Sequence, residues 1–234
     1  MFHRASNVWS RLQDTPSPRV ARKPANRFSS GDRVEEGDEE RFFSSACQFM
    51  AAGDHESALR RLQDLKQRSN PDHGMLRLLA LAIQVVQLDR EHHSAIPITA
   101  DKVCTIQKST NMIREVPSAV TDFVVKTAAG LGLYAEILFK LSHGIQNPFF
   151  SNSEQFVAAR PTVSRLRAVC SSAVNAMHMH PLLMAPFTRL KTEAELLEVL
   201  LASDYRMSLL KGADSFADLL RASKLLTDYV CARQ

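Results

Sequence analysis

Glycine, aromatic residues and long apolar runs are all scarce in this sequence. Of its 234 residues, 8 are glycine and 7% are aromatic. Sheet proteins rely on glycine-rich turns and on aromatic or β-branched strands, so this composition favours helices. The nearest approach to a membrane span, residues 75–88, is interrupted by Arg77 and Gln84 and falls short of roughly 18 apolar residues. We therefore expect a helical protein that does not cross a membrane.

The sequence also lacks the short motifs of common metal sites and enzymes. The four cysteines are too far apart for a CxxC pair: Cys47, Cys104, Cys170 and Cys231. Neither a secretory signal nor a dense cysteine framework is present, so we expect reduced cysteines and an intracellular protein. The motifs G-x-S-x-G, H-E-x-x-H and G-x-x-x-x-G-K-[ST] are absent. The sequence therefore predicts no catalytic residue, cofactor or metal, although distant residues can still assemble an active site.

Two segments match binding motifs but are better explained by packing. Residues 130–135 fit the dinucleotide pattern G-x-G-x-x-A, yet they follow a helical pattern and belong to no βαβ series. Their small residues predict a close helix–helix contact instead. Residues 177–180, Met-His-Met-His, contain possible copper ligands, but we interpret them as a helix C-terminus. The adjacent His92 and His93 are predicted to lie in a loop, without a metal.

The basic character of the chain belongs to its N-terminal segment. Residues 1–31 contain six basic residues and one acidic residue, which leaves 23 basic and 24 acidic residues in the remainder. A nucleic-acid surface needs clustered Lys and Arg on the folded part, so we expect no nucleic-acid binding except weakly through the tail. An acidic run follows at residues 32–40. Because neither half has a sustained apolar period, residues 1–40 are predicted to be a disordered tail, basic then acidic.

Short motifs in this tail support three alternatives. Two Ser/Thr-Pro pairs resemble proline-directed phosphorylation sites and precede basic residues, a combination typical of nuclear proteins. An amphipathic pattern over residues 2–12, with Arg-Phe-Ser-Ser at residues 27–30, instead resembles a mitochondrial presequence. The third alternative is a solvated tail that carries no localisation signal. We favour the nucleus or cytoplasm over the mitochondrial matrix. The candidate phosphorylation sites are Thr15 and Ser17, and the candidate localisation signal is Arg19, Arg22 and Lys23.

From residue 41 onward the apolar pattern is helical, and residues 41–234 are predicted to form a single all-helical domain. The first helix should end at Gly53, and Asp54 should cap the second. A third helix should open near residues 70–72 and end near Arg90. Further helices are predicted near 100–115, 117–142, 153–159, 161–179, 182–190, 192–202 and 213–231. Prolines at 117, 161 and 181 and a capping-box pattern at Thr192 set these boundaries.

Residues 49–65, followed by an Asn-Pro pair at 70–71, resemble one tetratricopeptide-like helical hairpin. Gly53 occupies the turn, and Ala58 takes the small position where two helices touch. The resemblance covers about 30 residues and does not recur at the roughly 34-residue period of such arrays. It implies an all-α fold built as an irregular stack of antiparallel helical hairpins, tetratricopeptide-like or armadillo-like.

The function predicted from these patterns is a non-catalytic protein–protein interaction module, a subunit or adaptor of a larger intracellular complex. Stacked helices create extended surfaces without a catalytic cleft. Phe149 and Phe150, adjacent aromatics in a predicted loop, are the candidate partner-binding anchors. The alternatives are a helical enzyme or small-ligand-binding protein with a pocket beside residues 130–135, and a mitochondrial helical-repeat protein imported by its tail.

Overall fold

The structure, a computed structural model, describes residues 36–68, 73–94, 96–115, 122–143, 152–175, 181–202 and 216–233. Every regular element in these ranges is helical, which confirms the predicted all-α class. The helices are α1 (Glu36–Ala51), α2 (His55–Arg68), α3 (His73–His93), α4 (Ala100–Arg114), α5 (Asp122–His143), α6 (Asn152–Asn175), α7 (Met184–Ala202) and α8 (Phe216–Cys231). A 3-10 turn, Pro181–Leu183, precedes α7. None of these helices is long and apolar enough to cross a membrane.

The hairpin of α1 and α2 forms where the local sequence predicts it. Gly53 has φ 77°, in the left-handed region that glycine adopts without steric cost, and it ends α1. The Asp54 carboxylate accepts a hydrogen bond from the Ser57 N–H at 3.1 Å and so caps α2. Leu62 and Leu65 are fully buried on the predicted inner face. Helix α1 itself begins at Glu36, so it includes residues 36–40 that the sequence assigned to the tail.

Helix α3 lies at the centre of the first five helices and packs against α2, α4 and α5. Its middle is buried at Leu78, Leu79 and Leu81, as the apolar run predicts, whereas Ala80 is exposed. The helix extends to His93 rather than ending near Arg90. His92 and His93 are therefore helical residues, and the prediction that they lie in a loop is wrong.

Two helix boundaries predicted from local patterns are also wrong. Helix α6 continues through Pro161, which is exposed; the proline removes only the hydrogen bond to the Val157 carbonyl, on the solvent-facing side. Helix α7 likewise runs through Thr192. The Thr192 hydroxyl donates a hydrogen bond to the Thr188 carbonyl at 3.1 Å and does not cap a new helix. The helices predicted near 153–159 and 161–179 are therefore one continuous helix, α6. Those predicted near 182–190 and 192–202 are likewise one helix, α7.

The glycines of the G-x-G-x-x-A segment lie inside α5 and make close packing contacts. A Cβ atom on Gly130 would collide with the Leu183 side chain, and one on Gly132 would lie 2.9 Å from the Thr110 Oγ1 atom. The space beside both glycines is thus filled by neighbouring side chains. This supports the packing interpretation, because a dinucleotide site needs a strand–turn–helix at this position.

A helix late in the chain contacts the first helix. Helix α7 packs against α6 and α8 and also against α1. In an open helical-repeat array each repeat contacts only its neighbours in sequence. The first and seventh helices of such an array would not touch, whereas here α1 and α7 do. The described helices instead share a core, with α7 connecting the first hairpin to α8.

Candidate functional site

Polar side chains from five helices meet around the C-terminal turn of α3. We call this group the polar cluster. Its members are His55 of α2; Asp89, His92 and His93 of α3; Tyr134 and Ser142 of α5; Arg189 and Glu193 of α7; and Lys224 and Asp228 of α8. Most are buried, and even the Arg189 residue is only 8% exposed. Burial of so many charged groups requires that each be paired, because an unpaired buried charge is costly.

Asp89 forms the first pairing. Its two carboxylate oxygens accept hydrogen bonds from His55 Nε2 at 2.8 Å and from the Tyr134 hydroxyl at 2.9 Å. Burial alone would raise the pKa of Asp89, but the His55 hydrogen bond and the charge of Arg189 outweigh it and lower this pKa. Burial and the Asp89 charge together raise the pKa of Tyr134 well above 10. Asp89 is therefore an ionised carboxylate held between a histidine and a phenol.

His92 forms the second pairing. Its Nδ1 lies 2.6 Å from Ser142 Oγ, and its Nε2 lies 2.8 Å from Glu193 Oε1. Burial opposes ionisation of Glu193, but the charges of His92 and Lys224 lower its pKa, so it accepts the Nε2 proton. The His92 backbone carbonyl accepts a hydrogen bond from the Lys224 ammonium group. Lys224 thereby satisfies one of the unpaired carbonyls that end α3.

Arg189 connects three separate parts of the chain. It donates hydrogen bonds to the Met50 carbonyl at 3.1 Å, to His93 Nδ1 at 2.9 Å and to Asp228 Oδ1 at 3.0 Å. A guanidinium only donates, so His93 Nδ1 is an acceptor and the ring carries its proton on Nε2. Burial, reinforced by the charge of Arg189, lowers the pKa of His93 against the opposing effect of Asp228. His93 is therefore a neutral acceptor for Arg189.

The order Ser142–His92–Glu193 has the hydrogen-bond pattern of a nucleophile, a base and an orienting carboxylate. Acyl transfer also requires N–H donors aimed at the developing oxyanion. Ser142 lies in the last turn of α5 and His92 in the last turn of α3, where helices present carbonyl groups and partial negative charge. That field favours cations such as Lys224 and disfavours an oxyanion. We therefore interpret the polar cluster as a structural joint between helices.

Several residues selected from the sequence lie outside the described residues, so no contact can be assigned to them. They are Thr15, Ser17, Arg19, Arg22, Lys23, Phe149, Phe150 and the segment 177–180. The four cysteines are described, and all are free. Burial raises the pKa of the Cys47 and Cys170 thiols to about 12, which leaves them unreactive, whereas Cys104 is exposed. His92 and His93 are the only members of the polar cluster that the sequence patterns single out.

The polar cluster predicts that acid destabilises the fold. Because the pKa of His93 lies below its ordinary 6.5 in the folded protein, the unfolded chain gains that proton first, and the free energy of unfolding falls as pH drops below 6.5. The lowered pKa values of Asp89 and Glu193 act in the same direction below about 4.5. We expect urea unfolding followed from pH 8 to about 3 to show both steps.

A His93→Gln variant tests the upper step. Its carboxamide oxygen can still accept the Arg189 hydrogen bond, but the side chain does not titrate. The variant should lose most of the slope between pH 7 and 5 and keep the decline below about 4.5. His143→Gln, at the end of α5, is the matched control. An unchanged slope in His93→Gln would contradict the assignment of His93 as a neutral acceptor.

Comparison with known proteins does not assign a function to the polar cluster. Among the described residues, no three His, Cys, Asp or Glu side chains are placed to hold a metal ion. No family model matches the chain, and no curated protein or solved structure is significantly similar to it.

Proposed function

We propose that this chain is a non-catalytic protein–protein interaction module, acting as a subunit or adaptor of a larger intracellular complex. The observation that carries the proposal is the outer face of α8. Leu225 is 64% exposed and Tyr229 is 47% exposed, and the two lie one helical turn apart. Single exposed apolar residues are common, but an adjacent Leu and Tyr form a continuous patch.

The surroundings of this α8 patch favour protein recognition. The Arg233 guanidinium lies 4.2 Å from the centroid of the Tyr229 ring, and this cation–π contact favours one arrangement of the two side chains by about 0.5–1 kcal/mol. Arg221 lies one turn before Leu225 and pairs with Asp218 at 3.1 Å. Tyr and Arg are the residues that most often dominate binding energy at interfaces. A pre-ordered aromatic–arginine pair also loses less entropy when a partner binds.

The polar cluster supports this role by holding α8 rigidly. Lys224 and Asp228, on the inner face of α8, bind the end of α3 and Arg189 of α7. Lys224 and Leu225 are neighbours in sequence. The buried residue that attaches α8 to α3 and the exposed residue of the α8 patch therefore lie in the same helical turn. A fixed helix presents its outer face with little conformational cost on binding.

Other parts of the proposal rest on the sequence alone. Phe149 and Phe150 remain a second candidate anchor. The location, nuclear or cytoplasmic in preference to mitochondrial, depends on the tail motifs around Thr15 and Ser17 and on the basic residues that follow them. The mitochondrial alternative predicts removal of the tail near residue 29.

Native mass spectrometry of tagged protein from eukaryotic cells tests the α8 patch. We expect Leu225→Ser with Tyr229→Ser to lose a stoichiometric partner that wild type retains, while its melting temperature stays near that of wild type. The matched control is Val157→Ser with Val199→Ser, which alters two apolar residues of α6 and α7 that are as exposed as Leu225, at 63% and 65%. Equal retention by both variants, or a wild-type protein that is a bare monomer, would contradict the proposal.

A further inference from the structure

The α8 patch, Leu225 and Tyr229, lies between two exposed arginines on the same face of the helix. Arg221 precedes Leu225 by four residues and Arg233 follows Tyr229 by four. The backbone N–H groups of residues 232 and 233 still bond back to the preceding turn, which continues the helical path to Arg233. Residues at intervals of four form one ridge along a helix. This ridge has an apolar centre and a positive charge at each end.

A row of apolar side chains runs beside the ridge. Ala222 is buried in this row, and Leu226 and Val230 are half-buried. The ridge and the row form a shallow groove of the kind into which the ridge of a second helix packs. A helix that crosses α8 at about 20° stays beside it between the two arginines, which are about 18 Å apart along the axis. The outer face of α8 therefore fits a helix.

The N–H donors of both arginines are only partly used within the chain. Arg221 donates from one nitrogen to the Asp218 carboxylate at 3.1 Å. Arg233 lies over the Tyr229 ring through the face of its guanidinium, and no acidic side chain in the described part of the chain pairs with it. Because a guanidinium has five N–H donors in its plane, each arginine retains donors for a carboxylate of a partner.

We propose that the α8 patch binds an amphipathic helix of a partner protein that carries acidic residues at both ends of its apolar face. The apolar residues of that helix cover Leu225 and Tyr229, and its carboxylates pair with Arg221 and Arg233. Charge pairs at the rim of an interface determine specificity and association rate more than affinity. This inference names the kind of partner for the interaction proposed above and rests on that proposal.

The charges disfavour two other occupants of this face. When α8 of a second copy packs on it in register, parallel or antiparallel, the arginines of one copy face those of the other, and like charges repel. Segments that bind anionic membranes carry clusters of about four to eight basic residues, whereas the outer face of α8 has only Arg221 and Arg233. An acidic helix matches the apolar centre and both charged ends.

Titration of the full chain with helical peptides tests the proposal. The acidic probe is a capped, fluorescein-labelled peptide of alanine and glutamine, about 18 residues long so that it can form a helix. Leucine and phenylalanine occupy the two inner positions of an i, i+4, i+8, i+12 stripe, and glutamate occupies the two outer positions. Two control peptides carry glutamine or lysine in place of both glutamates.

Fluorescence anisotropy should show saturable binding of the acidic peptide at high micromolar concentrations. The glutamine peptide should bind about threefold or more weakly, because two exposed charge pairs are lost, and the lysine peptide more weakly still. Equal binding of the three peptides would overturn the proposal, as would a failure of the acidic peptide to bind.

Variants of the chain show whether the two arginines cause this preference. Arg221→Gln with Arg233→Gln should bind the three peptides equally, and Arg221→Glu with Arg233→Glu should reverse their order, so that the lysine peptide binds best. The matched control is Arg60→Glu with Lys66→Glu, which alters two exposed basic residues of α2 and should keep the wild-type order. An order that does not change in either arginine variant would refute the acidic partner.

Native mass spectrometry separates this inference from the proposal on which it rests. Loss of the partner in both Leu225→Ser with Tyr229→Ser and Arg221→Glu with Arg233→Glu supports the two together. Loss in the serine variant alone keeps the interaction and overturns the acidic partner, and retention in both variants contradicts the interaction itself. A dimer of the chain that the serine variant abolishes, or binding to phosphatidylserine vesicles that it abolishes, would overturn the acidic helix in favour of that occupant.

Discussion

Arg189→Met is expected to lower the free energy of unfolding by about 3–5 kcal/mol, the range for removing one partner from a buried charge pair. The guanidinium is the only described group that binds the Met50 carbonyl, His93 and Asp228 together. Its charge also helps to lower the pKa of Asp89, a fully buried carboxylate. Removing it leaves His93 Nδ1 without its donor and increases repulsion among the buried carboxylates, whereas the Met50 carbonyl keeps its hydrogen bond from the Gly53 N–H. Guanidinium chloride unfolding, followed by circular dichroism, measures the change.

Two variants distinguish this role from a general effect of losing an arginine. Arg189→Lys keeps the charge but cannot direct donors to all three acceptors, so it should recover less than half of the loss. Arg167→Met removes an exposed arginine that pairs with Glu198 at 2.9 Å, and it should cost at most about 1 kcal/mol. If Arg189→Met were no more destabilising than Arg167→Met, Arg189 would not be the connection between α1, α3 and α8.

The sequence predicts those parts of the fold that depend on neighbouring residues. The α1–α2 hairpin is confirmed because Gly53 and Asp54 act within one turn of their own positions. The boundaries at Pro161 and Thr192 are wrong because each residue can also be accommodated inside a continuous helix. A proline is tolerated inside α6 when its face is exposed, and a threonine can return its hydrogen bond to the preceding turn.

The polar cluster could not be predicted, because its contacts span long distances in sequence. Met50 and Arg189 are 139 residues apart, and His92 and Glu193 are 101 residues apart. One charged residue on a helix normally faces solvent, so each member resembles a surface residue when it is read alone. A partial signal exists in α7, where Arg189 and Glu193 fall among apolar residues on the inner face. That pattern indicates buried charge, but it does not identify the partners on α3 and α8.

Glu193 and Lys224 interact through their charges without a direct hydrogen bond, and they provide the second large effect. Glu193→Gln keeps an acceptor for His92 but removes the negative charge that balances Lys224, and we expect a loss of about 3–5 kcal/mol. Lys224→Met removes the cation and leaves the His92 carbonyl without its donor. When both substitutions are combined, neither charge is left alone in the interior. The double variant should therefore be more stable than Glu193→Gln, with a coupling of about 2 kcal/mol in the thermodynamic cycle.

The same cycle on an exposed pair of α7 is the control. Lys191 and Glu195 are 3.7 Å apart and partly exposed, so Lys191→Met and Glu195→Gln should each cost at most about 1 kcal/mol and add without coupling. Additive losses at Glu193 and Lys224 would show that the two charges are stabilised by other groups. A strong positive coupling would show that they balance each other across α7 and α8. In that case the inner face of α8 is held by charge balance, and apolar replacements could hold it equally well.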